Sequence, residues 1–480
     1  MVNRGVSRAC ETCRKRRKKC DETRPRCLRC TKAGRACQGY RRYDELYFRY
    51  YVDPASSPTP PAAEKTPLEV FLDDYVVPSI DPTVSRGFLD GLPSFLHGAD
   101  ASSDLVMAAE LVAYTSMGHR LGRPDLLDQA AQKYVGLLHS FRITLSSQIH
   151  GPTIETLVTA ILLGLYEIVS GGIGSRPGQH VAHVHGVCAI LSLENSPFDL
   201  FTSTQLFQVA NPLILKQPLK PSLTLTPGVL CAPISYNSVQ NLDTVLIRCH
   251  PLFERANSQL ADPNSSSETL QATFADALTL EEAFSQWTPS QSEAWHPQLI
   301  CSLRATKSNC PYYRPGPVHA YFDVYVAAVM NTYRKTYLML LEVLIKIAPR
   351  LSQTDRTTKW MKQSHLLIDD IVASIPYHLA RNLHEYTETG QSAVGRPVGG
   401  LLLLHPLFVV STCTIVPPPI QAYVRRCLAW IGKHMGIGQA TLLSEARSDQ
   451  PLPIIPFQQM AEGHVLIWAC MLLQPSPSQT

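Results

Sequence analysis

The 480-residue chain is poor in charge, at 17% Asp, Glu, Lys and Arg, so it is no highly charged disordered polymer. It lacks an apolar run long enough for a membrane helix. The most apolar stretch, Leu401 to Val416, has 16 residues, includes His405 and Pro406, and falls short of the ~20 that spanning requires. No apolar segment precedes the basic residues that begin at Arg4, so a secretory leader, and with it a disulfide scaffold, is not expected. G-x-S-x-G and H-E-x-x-H are both absent, and Gly171 to Gly178 follows a helical pattern without a phosphate-loop lysine. The expectation is therefore a non-enzyme. No fixed-period repeat and no series of alternating strands appears.

Hydrophobic residues make up 45% of the chain, enough for a large core. The 37 prolines, about 8% against a usual ~5%, predict elements often interrupted by loops. Charge is unevenly placed. Residues 1–50 carry 16 Lys and Arg against 5 Asp and Glu, a net of +11, whereas the remaining 430 carry 27 against 34. A basic head on a slightly acidic body suggests a polyanion partner for the head.

Six of the 14 cysteines lie in the first 37 residues, spaced Cys10-x2-Cys13-x6-Cys20-x6-Cys27-x2-Cys30-x6-Cys37. The unit C-x2-C-x6-C occurs twice. A C-x2-C pair lets two thiolates grip one ion, and zinc takes four ligands in a tetrahedron. One zinc would leave two cysteines unused. Two zincs need eight sulfur contacts, which six thiolates supply if two of them bridge. The pseudo-twofold pattern makes Cys10 and Cys27 the natural bridges. Disulfides conflict with the expected compartment, and an iron–sulfur cluster normally uses four thiolates without this duplication. The eight later cysteines form no C-x2-C pair and read as core. His180, His183 and His185 have no shared helical face and read as packing at a helix start.

The six-residue gap of the first half is Arg14-Lys15-Arg16-Arg17-Lys18-Lys19, cationic throughout; that of the second, Thr31 to Ala36, has two cations. The first half is thus the better DNA-facing side. A short helix over Thr12–Lys19 would turn its N-terminal end and basic side chains to the major groove. Alone, such a hexamer reads as an import signal or a solvated charge run; between metal ligands it reads as a DNA contact.

Residues 8–40 closely resemble the fungal binuclear zinc-cluster transcription factors. The resemblance implies two Zn2+ ions, one held by Cys10, Cys13, Cys20 and Cys27, the other by Cys27, Cys30, Cys37 and Cys10. It implies that Arg16 and Arg17 face the base edges of a CGG triplet, that Arg24, Arg26 and Lys32 contact phosphate, and that Pro25 turns the loop between the halves. Its wider implications are a nuclear location, double-stranded DNA as partner and action on RNA polymerase II genes through coregulators or the transcription machinery. Many relatives pair through a coiled coil after the linker, but residues 38–53 show no sustained heptads. Glu45 to Tyr51 reads as packing on the zinc module. Monomeric binding and a homodimer through the body both stay open.

Residues 41–67, with Pro54 to Pro61 rich in Pro and Ser, read as a linker, and 68–475 as an all-helical regulatory body. Apolar periodicity predicts helices over 104–121, 124–142, 152–169, 180–193, 266–286, 318–348, 358–379 and 420–435, with 212–233 a long loop. Within 318–348 the polar residues Asn331, Lys335, Glu342 and Lys346 share one face. Leu68 to Val77 reads as a small acidic–aromatic activation motif or a segment docked on the body. Leu163 to Gly171 with His183 to Leu193, Asn331-x-Tyr333-Arg334, and His405-Pro-Leu-Phe408 resemble the fungal-specific transcription factor domain found in regulators of secondary-metabolite gene clusters. The expected fold is mostly α: a zinc-cluster module plus a large helical body. The alternatives are a protein–protein adaptor or corepressor built on the same module, and an enzyme targeted by it.

Overall fold

Ser103, Thr153, Ser266 and Asp323 each stand one residue before a helix, and each side chain accepts from a backbone N–H of the first turn. Such caps satisfy donors that the helix itself leaves free. They set the starts of the main helices in the computed structural model, which describes residues 9–23, 26–37, 65–81, 84–147, 153–171, 242–305 and 308–445, with His183, Val187, Ile467 and 469–471 besides. The side chain of Arg14 is outside that description. The chain falls into two compact units, Met1–Glu64 and Lys65–Thr480.

The described residues of the first unit form two one-turn helices, α1 (Glu11–Lys15) and α2 (Leu28–Lys32). Among its described residues the buried core consists of four cysteines, Cys10, Cys13, Cys27 and Cys30. Chains this short do not build a sufficient apolar core, and sulfur takes its place.

The second unit is helical, and the expected mostly-α class is what the chain adopts. Its elements are α3 (Pro67–Tyr75), α4 (Leu92–Gly98), α5 (Asp104–Leu121), α6 (Pro124–Ser147), α7 (Ile154–Ser170), α8 (Leu242–Ala261) and α9 (Ser267–Ser290). A hairpin of β1 (Gln298–Leu303) and β2 (Gly316–Ala320) follows. Then come α10 (Val324–Ile347), α11 (Thr357–Leu379), α12 (Leu383–Thr389), α13 (Pro397–Thr412), α14 (Pro418–Met435) and α15 (Gly438–Ser444). Helix α5 packs on α6 and α7, and α10 packs on α9, α11 and α13.

The apolar stretch around Leu401 belongs to α13, buried from Pro397 to Ser411. No helix among the described residues is long and apolar enough to cross a membrane. Helix α3 docks through Phe71 and Tyr75, at 1% and 0% exposure, which favours the docked reading of Leu68 to Val77.

Several expectations are corrected. The helix expected over 318–348 begins at Val324, because Asp323 caps it there and Val318 is in β2, paired with Cys301. The hairpin leaves no clear two-residue period in the sequence because it is short and half exposed, with a register shift between Leu299 and Cys301. Not every proline interrupts an element: Pro251, Pro289, Pro376 and Pro406 lie inside α8, α9, α11 and α13. Each forfeits one backbone hydrogen bond, a loss that burial of the surrounding apolar side chains offsets. The polar residues Asn331 and Lys335 turn inward, at 0% and 3% exposure. Asn331 Nδ2 donates to Ser374 Oγ at 2.9 Å, Arg334 donates to Tyr321 Oη at 2.7 Å, and Lys335 Nζ meets His405 Nδ1. The Asn-x-Tyr-Arg and His-Pro segments are thus a buried polar network that ties α10 to α11 and α13. The expected helix 180–193 lies, apart from His183 and Val187, outside the described residues; so do the loop 212–233 and Glu45 to Tyr51. His183 Nε2 hydrogen-bonds Tyr134 Oη at 3.1 Å, a packing role. His180 and His185 are outside the description.

Candidate metal centre and nucleic-acid interface

The two halves of the first unit repeat one local device. Cys13 N donates to Cys10 Sγ at 3.4 Å, and Cys30 N donates to Cys27 Sγ at 3.3 Å. Each C-x2-C turn therefore opens a helix with a sulfur as its cap and points both thiols to the same side. Cys27 is the N-cap of α2.

The six sulfurs converge in two overlapping groups. Cys10, Cys13, Cys20 and Cys27 form one, and Cys10, Cys27, Cys30 and Cys37 the other, with the sulfurs of each group within 4.8 Å of one another. Cys10 and Cys27 belong to both, at an Sγ–Sγ distance of 3.6 Å. Cys13 lies 3.7 Å from Cys27, and Cys30 lies 3.8 Å from Cys10. A tetrahedron with bonds of about 2.3 Å has edges of about 3.8 Å, so these donors fit zinc. Burial pushes the Cys10 thiol up to about 12 and raises Cys27 as well. Without a cation these buried sulfurs keep their protons; thiolate ligation needs the positive charge between them.

The basic run leaves α1 abruptly. The helix ends at Lys15 instead of continuing to Lys19 as expected, and Arg17 takes a left-handed backbone at φ 52. Lys18 N then donates to Cys13 O at 3.0 Å. That six-to-one bond around a left-handed residue is the Schellman helix end, here formed by an arginine. In a full-length helix this carbonyl would accept from Arg17 N, and the consecutive cations, about 100° apart, would ring the axis. The turn instead breaks that ring after Lys15, and Lys15, Arg16, Arg17, Lys18 and Lys19 are all exposed. Arg26 and Lys32 are exposed too, whereas Arg24 and Pro25 lie outside the described residues.

Three residues that the spacing did not single out hold this surface in place. Asp21 accepts from Arg29 N at 3.2 Å and so caps α2, Arg29 NH1 donates to Lys19 O at 3.1 Å, and Thr12 Oγ1 donates to Ala36 O at 3.1 Å. The partners are eight to 24 residues apart, too far for a local pattern to mark them.

A duplicated thiolate cage joined to an exposed cationic turn defines a small metal-built DNA-binding head, and the chain belongs to the fungal Zn(2)-Cys(6) binuclear cluster transcription factors. The model of the fungal Zn(2)-Cys(6) binuclear cluster domain matches residues 8–45. The transcription factor dbaG of Emericella nidulans is 34% identical over 424 residues, covering 85% of this chain and 96% of that protein. The transcriptional regulatory protein moc3 of Schizosaccharomyces pombe is 60% identical over 39 residues, 8% of each chain. No solved structure matches. The domain binds two zinc ions, and the chain is a DNA-binding transcription regulator.

Proposed function

We propose that this chain is a nuclear regulator of RNA polymerase II genes whose head, residues 8–40, reads a CGG-type triplet in duplex DNA. In this reading Cys10, Cys13, Cys20 and Cys27 hold one zinc and Cys10, Cys27, Cys30 and Cys37 the other. Arg16 and Arg17 meet guanine O6 and N7, where one bidentate contact discriminates by ~1–3 kcal/mol. Arg14, Lys15, Lys18, Lys19, Arg24, Arg26 and Lys32 meet phosphates, adding salt-sensitive affinity without sequence choice. Residues 41–67 link the head to the body, 68–475, which contacts coregulators, the transcription machinery or a second copy. The regulated genes form a metabolic cluster, of the secondary-metabolite kind. No catalytic role is part of this reading.

The observation that carries it is the bond from Lys18 N to Cys13 O, which couples the exposed basic turn directly to the sulfur cage. The test is Arg17→Ala, titrated on a CGG duplex and on a scrambled duplex at fixed salt. Affinity for CGG should fall at least about tenfold more than affinity for the scrambled site. Equal losses would remove Arg17 from base reading.

A further inference from the structure

Helix α6 packs on α5, with Tyr134 against Tyr166 of α7, and among the described residues no element covers its other side. Val135, at the centre of that outer side, is 70% exposed, and Leu138 and Leu145 are 38% and 42% exposed. Asp128 and Arg142 stand seven residues before and after Val135. At about 100° per residue both fall within about 20° of its line, each about 10 Å along the axis. The other exposed charges nearby are satisfied within the chain: Lys133 pairs with Glu110 at 2.7 Å, and Arg123 with Asp125 at 2.5 Å. Asp128 and Arg142 are exposed, and neither joins an ion pair among the described residues.

This charge pattern is self-complementary. If two α6 helices cross antiparallel with Val135 on the twofold axis, Asp128 of each copy lies opposite Arg142 of the other, giving two ion pairs that flank an apolar centre. The same operation sets small Ala131 against His139, so that bulk meets space. Parallel packing would instead place Asp128 on Asp128 and Arg142 on Arg142, a like-charge clash at both ends. An isologous twofold contact satisfies every one of these residues at once.

We infer that the outer face of α6 is a homodimer surface, occupied by α6 of a second copy in antiparallel register about Val135. The inference rests on the reading above that the body meets a second copy, and names the face and its geometry.

Sedimentation velocity of the full chain over a concentration series tests it. Arg142→Asp and Asp128→Arg should each raise the dimer dissociation constant about tenfold or more, since each converts both ion pairs to repulsions. The double swap D128R/R142D restores both pairs and should bring dimerisation back. A Val135→Cys chain should link to itself through a short bismaleimide. A dimer indifferent to both single reversals would overturn this register while leaving another body contact standing. A chain that stays monomeric throughout would overturn both.

Discussion

Arg17 and Gly34 occupy equivalent positions, 17 residues apart like Cys10 and Cys27, and both adopt left-handed backbone, at φ 52 and φ 62. Each ends the short helix of its half. Lys18 N closes one turn onto Cys13 O, and Arg35 N closes the other onto Cys30 O, both at 3.0 Å. The second half uses the residue for which this conformation costs least; the first places an arginine there. A non-glycine residue in this conformation carries a backbone cost that Gly34 does not.

Arg17→Gly should therefore stabilise the zinc-loaded head by roughly 0.5–1 kcal/mol while weakening binding to a CGG duplex. The reciprocal change, Gly34→Ala, should cost roughly 1 kcal/mol from backbone strain. A Cβ there meets nothing within 4 Å, so no clash confuses the result. Thermal melts paired with DNA titrations check both. An Arg17→Gly head that melts lower would show that the arginine side chain, not strain, dominates at this turn.

Shared sulfurs predict unequal cysteine variants. Cys27 lies in both four-sulfur groups and Cys13 in one. Cys27→Ser should lower bound zinc from two ions per chain toward none and unfold the head, whereas Cys13→Ser should retain the ion held by the other group. Metal analysis by mass spectrometry under native conditions checks this. A single ion in the unaltered chain would contradict the shared cage.

Two buried histidines should make the body acid-sensitive. Burial, with the charge of Arg334, holds the His378 imidazole down to about 3, and burial with Lys335 holds His405 well below its ordinary value. The unfolded chain protonates these rings near 6.5 and the folded one refuses the proton. Their contribution is complete above about pH 6.5 and declines as pH falls below it, for His378 by roughly 1–2 kcal/mol at pH 5. The buried carboxyls of Glu167 and Asp323 are raised, mainly by burial, and act with the opposite sign. Comparing denaturant midpoints of wild type and His378→Gln between pH 7 and 5 cancels them. The variant should show the shallower slope.

Close approach of α13 to the end of α11 gives a severe steric prediction. A Cβ on Gly399 would come within 2.0 Å of His378 O, a backbone atom that cannot swing aside. Gly399→Ala should cost at least about 3 kcal/mol, among the larger effects of a single substitution. Loss of the cooperative thermal transition, or a large drop in its midpoint, checks it.

The metal head was legible because its information is local: ligand type and spacing follow from the coordination demands of one ion and a span of 28 residues from Cys10 to Cys37. The long helices were legible for the same reason, since apolar period and caps act over one or two turns. Helix α5 falls on its expected bounds, Asp104–Leu121. Tertiary structure decided the remainder, where the energy comes from partners distant in the chain. Whether the polar stripe of α10 faced water or the core depended on Ser374 and His405, 43 and 70 residues away. Val318 joined a strand because Cys301 stood beside it, although its own neighbours permit a helix. The left-handed turn at Arg17 is held by a cysteine carbonyl and by the cage behind it, and a run of six basic residues carries no sign of such a constraint.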